Sequence, residues 1–156
     1  MKQNHARLVW SEGAPLSESF GDFYCSLADG VAESRYVFID GNKLTERCKE
    51  EFTCGLTIAE TGFGTGSNLL CTLDTLLQLD NYPLYGVHFI STELYPLTYN
   101  DLKTALADHP QFQHYAKQLL EQYPPYIQGM HRFIFDKGRF YLTLCIGDAA
   151  SSLRRI

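Results

Sequence analysis

Apolar and polar positions change their period several times along the chain, and each change marks an element. Leu69, Leu70, Leu73, Leu76 and Leu77 fall at the spacing of a helix with one buried face. Just upstream, Leu-Thr-Ile-Ala at 56–59 is a short apolar run between Gly55 and a glycine-rich stretch, which suits a buried parallel strand. Gly-Val-His-Phe-Ile at 86–90 reads as a second buried strand, ended by Pro96. A helix over 98–108 follows, closed by Pro110. A further helix over 111–123 carries Phe112, Tyr115, Leu119 and Leu120 on one side and stops at Pro124-Pro125. Phe133 to Phe135, a turn at 136–138 and the run 140–146 read as a hairpin or two successive strands. Nearer the start, Arg-Tyr-Val-Phe-Ile at 35–39 has strand composition. Asp40-Gly41-Asn42 then offers a turn that tolerates positive φ, and 44–47 a return strand. Residues 11–35 are rich in Ser, Glu, Gly and Asp, with Phe20, Phe23 and Tyr24 interleaved, and read as an ordered loop with aromatic anchors.

The resulting order is strand, glycine loop, helix, strand, helix, helix, strand. It predicts an α/β fold with a mainly parallel sheet, whose ligands bind outside the carboxyl ends of the strands. The chain divides into an N-terminal extension with a β-hairpin over 1–50 and the sheet-bearing region over 51–156. With 156 residues, 45% of them hydrophobic, it is long enough to bury a core. A net charge of −5 argues against general electrostatic binding of nucleic acid or acidic membranes, but leaves room for a nucleic-acid substrate at a local basic patch. There is no apolar run of membrane-spanning length and no signal peptide in the first ten residues. Cys25, Cys48, Cys54, Cys71 and Cys145 form no Cys-x-x-Cys pair and no metal spacing with the histidines, so reduced thiols in a cytoplasmic protein and no metal are expected.

The chemistry concentrates in Glu60-Thr-Gly62-Phe-Gly64-Thr-Gly66-Ser-Asn68, after a predicted strand and before a predicted helix. Glycines let the backbone turn tightly and approach a ligand, and the helix start offers free N–H groups. A dinucleotide fingerprint would need a third glycine at position 67, which is Ser67, and no Gly-Lys-Ser/Thr of a phosphate loop follows. An acidic residue ahead of the glycines suits a cationic group instead, such as the amino group and sulfonium of S-adenosylmethionine. Glu93, after the second strand, can accept from both ribose hydroxyls, and Asp148, after the third, from an adenine amino group. Glu93 alone also fits a cap of the helix after Pro96, and Asp148 a cap of a helix starting at Ala149. Together they predict a nucleoside site made of Glu60, Gly62, Gly64, Gly66, Glu93 and Asp148.

These motifs resemble one family. The glycine stretch, then His88-Phe-Ile-Ser-Thr-Glu-Leu-Tyr-Pro-Leu97, is similar to the N-terminal methyltransferase domain of the MnmC-type bifunctional enzymes that make 5-methylaminomethyl-2-thiouridine in tRNA. Phe23-Tyr-Cys-Ser26, Asp29-Gly30, Glu33, Arg35-Tyr-Val-Phe38 and Gly138-Arg-Phe-Tyr-Leu-Thr-Leu-Cys-Ile-Gly-Asp148 fit it too, in order along nearly the whole chain. The resemblance implies a Rossmann-like S-adenosylmethionine-dependent methyltransferase fold and N-methylation of the aminomethyl group on a wobble uridine of tRNA. The family's second, FAD-dependent domain has no counterpart here, so FAD is not expected. The family continues to a later strand ending in an Asp-Gly-Phe-Ala-Pro-type loop where amine and methyl should meet, and this chain stops at Ile156. The expectation is therefore the first half of the sheet, with an exposed strand edge, and with a second polypeptide or domain as a partner that could complete it.

No residue presents itself as catalytic. Tyr24 and Tyr36 are candidates to line the pocket, or else core aromatics. Arg132, Lys137, Arg139, Arg154 and Arg155 could contact tRNA phosphates or simply form a solvated surface. The competing readings are a fragment that binds cofactor at most and catalyses nothing alone, and a dinucleotide-dependent oxidoreductase, which Ser67 and Glu60 disfavour.

Overall fold

The computed structural model describes residues 5–11, 13–24, 30–48, 55–79, 86–107 and 109–156. Cys25, Ser26, Asp29, Cys54, Asp108 and the 50/51 boundary lie outside the described residues. At the centre is a four-stranded sheet in the order β3-β4-β6-β5 (Leu56–Thr61, Val87–Glu93, Phe140–Ile146, Gly129–Phe135). β3, β4 and β6 run parallel, while β5 and β6 form an antiparallel hairpin. Between β3 and β4 lies α3 (Ser67–Leu77), and between β4 and β5 lie α4 (Tyr99–Ala107) and α5 (Gln113–Gln122). This is the predicted α/β order, with the glycine loop joining β3 to α3.

Side-chain alternation divides the sheet into two unlike faces. Val87 and Phe89 of β4, Phe140, Leu142 and Leu144 of β6, and Phe133 and Phe135 of β5 point one way. They bury against Leu69, Leu70, Leu73 and Leu76 of α3, Leu102 of α4 and Leu119 of α5. The opposite face carries His88, Tyr141, Thr143 and Arg132. There His88 Nε2 bonds Thr143 Oγ1 at 2.8 Å, and the Arg132 guanidinium lies 4.6 Å from the centre of the Tyr141 ring. Met130 and Ile134 on that face are 47% and 57% exposed.

The N-terminal segment departs from the sequence expectation. The strand expected at 35–39 is helical: α1 (Gly30–Ser34) runs into a π-helical turn over Arg35–Asp40, where Gly41 N–H donates to Tyr36 O at 2.9 Å. The return strand expected at 44–47 is α2 (Leu44–Arg47). β-branched and aromatic composition favours a strand only where a neighbouring strand can pair it. Here Ile39 and Leu44 instead enter the core on the helix-covered face, and Phe38 meets Phe89 at 5.8 Å between ring centres. The turn at 41–43 exists, but its positive φ falls on Lys43 (50°) and not on Gly41. The hairpin of this segment lies earlier, as β1 (Leu8–Ser11) paired with β2 (Ala14–Ser17). It reaches the carboxyl end of the sheet, where Ala6 N–H donates to Pro96 O at 3.2 Å.

Candidate functional site

The parallel register brings Glu60 level with Ser91 and Thr61 level with Thr92, and Glu93 level with Ile146. Three strands therefore end side by side, each just before a turn. At the end of β3 the chain bends back, and the N–H groups of Gly62 and Phe63 both donate to Thr92 O, at 2.9 and 3.0 Å. Phe63 turns its ring inward and is buried. Gly64 and Gly66 adopt φ of 54° and 76°, which disfavour any residue with a Cβ. A Cβ on Gly66 would stand 3.0 Å from Phe63 Cζ, and one on Gly64 would stand 3.5 Å from Tyr24 Cδ1.

Both oxygens of each of the two carboxylates at this end accept a hydrogen bond. Glu93 Oε2 accepts from Gly64 N–H and Oε1 from Tyr95 N–H, both at 3.0 Å. It thus fastens the glycine loop to the turn after β4. Glu60 Oε1 accepts from Ser91 Oγ at 2.8 Å, and Oε2 from Asn68 Nδ2 at 3.0 Å. Burial pushes the Glu60 carboxyl up to about 7; the Asn68 and Ser91 bonds pull the other way, and the nearby Glu93 adds to the rise. Tyr24 and the half-buried Tyr123, whose hydroxyl donates to Leu97 O at 3.1 Å, are both raised, first by burial and then by Glu93.

Beside the loop opens a cavity of about 670 Å³. Gly62 to Thr65, Ser67 and Asn68 form one wall; Asp22, Phe23, Tyr24, Gly30, Glu33, Ser34 and Val37 form the other. The volume lies within the usual range of small-molecule sites. Four of the six residues expected at a nucleoside site, Glu60, Gly62, Gly64 and Glu93, meet at this loop, and Gly66 sets the start of α3. Asp148 stands apart from them. It is exposed at the end of β6 and caps α6 (Ala149–Leu153), accepting from Ser151 N–H at 2.9 Å, which holds its carboxyl below the ordinary value. Its neighbouring strand end is that of Glu93, whose carbonyl accepts from Gly147 N–H at 2.9 Å; of the six expected residues, Gly62 and Gly64 line the cavity, and Glu60, Gly66, Glu93 and Asp148 do not.

Tyr24 lines the cavity, whereas Tyr36 is 75% exposed and does not. The basic residues do not form one patch. Lys137 and Arg139 sit at the amino end of β6, where Arg139 pairs with Asp136 at 2.7 Å, while Arg154 and Arg155 follow α6 beyond its carboxyl end. Seven strand residues separate them, about 23 Å at the usual rise. Among the described residues no three His, Cys, Asp or Glu gather as a metal site, and no helix is long and apolar enough to cross a membrane. Cys48, Cys71 and Cys145 are buried.

Sequence reasoning missed Asn68 and Ser91 as partners of Glu60, and the second wall of the cavity apart from Tyr24. Ser91 was discoverable by aligning the two strands at their carboxyl ends. The wall from Asp22 to Val37 depends on how the N-terminal segment docks, which no local pattern announces.

No protein-family model matches the chain. It is 47% identical over 146 residues to the tRNA 5-methylaminomethyl-2-thiouridine biosynthesis bifunctional protein MnmC of Marinobacter nauticus, covering 92% of this chain and 23% of that protein. The protein of the same name from Chromobacterium violaceum is 43% identical over 157 residues, covering 100% of this chain and 24% of the relative. The chain thus spans about a quarter of the length of the curated relatives it matches. Among solved structures, MNMC2 from Aquifex aeolicus superposes with a TM-score of 0.71 at 23% identity, covering 99% of this chain and 46% of that one, which establishes the likeness of fold.

Proposed function

Since the chain belongs with the MnmC proteins, matching their N-terminal methyltransferase part along its length, we propose that its cavity binds S-adenosylmethionine for N-methylation of the 5-aminomethyl group of a wobble uridine in tRNA. The observation that carries this reading is the glycine loop between β3 and α3, tied by Glu93 and opening onto the cavity. The cavity fits the group chemically. Backbone at Gly64 can approach a ligand without a side chain between them, and carboxylates stand on two adjacent strand ends.

When bound, the cofactor supplies an electrophilic methyl group to a nitrogen nucleophile. The work of the chain is positioning. Glu93 sets the loop, and the loop and Tyr24 shape the cavity. Holding two reactants in line can supply roughly 7–11 kcal/mol of a displacement barrier. The amine must be neutral to attack, so the acceptor's proton leaves before or during transfer.

Calorimetric titration of the chain with S-adenosylmethionine and with its demethylated product tests this. Glu93→Ala should weaken binding by roughly 1.5–3 kcal/mol, the usual worth of hydrogen bonds to a charged group. Unchanged affinity in that variant would take Glu93 out of the site.

A second reading, cofactor binding without turnover, is favoured by the outer edge of β3, which pairs with no strand among the described residues. Incubation with labelled cofactor and tRNA bearing the aminomethyl uridine, beside a full-length relative, separates the two. Comparable turnover by the purified chain would exclude the second reading.

A further inference from the structure

Glu60 is the residue that charge alone would assign to a cationic ligand, yet both its oxygens are already engaged. Ser91 Oγ and Asn68 Nδ2 donate to them at 2.8 and 3.0 Å. These bonds cross from β3 to β4 and to the first turn of α3, so Glu60 ties three elements together. They also fix the orientation of one side chain. Where Glu60 is ionised, above about pH 7, it only accepts, so the Asn68 amide turns its NH₂ toward Glu60 and its oxygen away. Asn68 lines the cavity, and among the described residues that oxygen accepts no hydrogen bond. Its backbone carbonyl is separately occupied by Thr72 Oγ1 at 2.7 Å.

We propose that Asn68, held by Glu60, is the residue that receives the ammonium group of the bound ligand, and that Glu60 acts through it as a positioning residue. Resting on the S-adenosylmethionine reading, the inference assigns the amino-acid end of the cofactor to the α3 side of the cavity. A neutral carboxamide suits this task. Its oxygen accepts an N–H bond, and, being uncharged, it leaves no unpaired charge behind when the ligand leaves. Glu60 supplies the second half of the arrangement, since without it the amide is free to rotate and present either end.

The test uses two probes that differ only in the part at issue. S-adenosylhomocysteine carries the amino-acid end, and 5′-methylthioadenosine lacks it. Titration of the full chain should show Asn68→Ala weakening S-adenosylhomocysteine by roughly 10- to 150-fold, the worth of a hydrogen bond to a charged group. Affinity for methylthioadenosine should stay within a factor of two or three, which a merely structural role would not produce. Asn68→Ser, with a small polar group at the start of α3, should repeat the pattern if the Ala variant folds poorly. Glu60→Ala should weaken S-adenosylhomocysteine similarly, and the double variant should be no worse than Asn68→Ala alone, because the two residues act as one unit. Equal weakening of both probes, or of neither, overturns the assignment of Asn68. Additive losses overturn the route through Asn68 and return Glu60 to direct contact. Failure of the unaltered chain to bind either probe overturns the cofactor reading itself, and this inference with it.

Discussion

Glu60→Gln should stabilise the folded chain, and only above a definable pH. The carboxyl of Glu60 is half-buried and its proton is held to about 7, against an ordinary value of 4.5. A tenfold change in proton affinity is worth about 1.4 kcal/mol, so ionising this group in the folded state costs up to about 3 kcal/mol. The sign follows from proton counting. Between pH 4.5 and about 7 the folded chain keeps a proton that the unfolded chain has lost, so stability falls as pH rises through that window. Above it the full cost is present; below it there is none. Glutamine has the same shape and never ionises. Its oxygen can accept from Asn68 Nδ2, and its amide can donate to Ser91 Oγ, replacing the bonds seen at 3.0 and 2.8 Å. The difference between variant and parent should therefore be near zero at pH 4.5 and grow to about 2–3 kcal/mol at pH 8. Urea denaturation at several pH values measures it directly, because other titrating groups cancel in the difference. A gap that does not change with pH, or a variant less stable at pH 8, would refute the placement of an ionisable group in a desolvated pocket.

Other expected outcomes rest on the same geometry. Gly64→Val should abolish cofactor binding with far-ultraviolet dichroism largely unchanged, since φ is 54° there and the new side chain would meet Tyr24; normal binding would make the loop a structural turn only. Phe89→Ala, which empties a wholly buried position between Phe38 and Phe140, should cost about 3–5 kcal/mol by chemical denaturation. Cys48 and Cys145, whose thiols burial pushes up, should resist a thiol reagent until denaturant is added, and rapid reaction in the folded chain would contradict their burial.

The parts of the fold that could be read in advance are those where one period governs a long run. The leucines of α3, the apolar core of β4 and the proline stop after α5 each dictate an element with little help from elsewhere. The stretch 35–47 misled because its residues prefer a sheet only when an edge is available, and the packing against α3 and Phe89 offered a better burial. The site divides in the same way. Glu60, the glycines and Glu93 are fixed by sequence position relative to strand ends, so local reading reached them. Asp148 satisfied two readings equally, and in the folded chain its carboxylate takes up the capping bond to Ser151. Asn68 and the wall from Asp22 to Val37 become relevant only once distant segments meet.

β3 has a mechanical peculiarity. β4 and β6 are each gripped from both sides, but among the described residues the strand that carries the glycine loop, like β5 at the far edge, is laced to a single neighbour. Its amides should exchange with solvent sooner than those of β4 and β6, and its departure would take the loop with it. What restrains it at the critical end is a small clasp: Thr92 O, which receives two loop N–H groups, and Glu93, which receives a third. A ligand that bridges the loop to β4 would therefore act as a rivet as well as a passenger. Part of its binding energy would go into suppressing the excursions of β3, and its apparent affinity would be scaled by the fraction of time the clasp is shut.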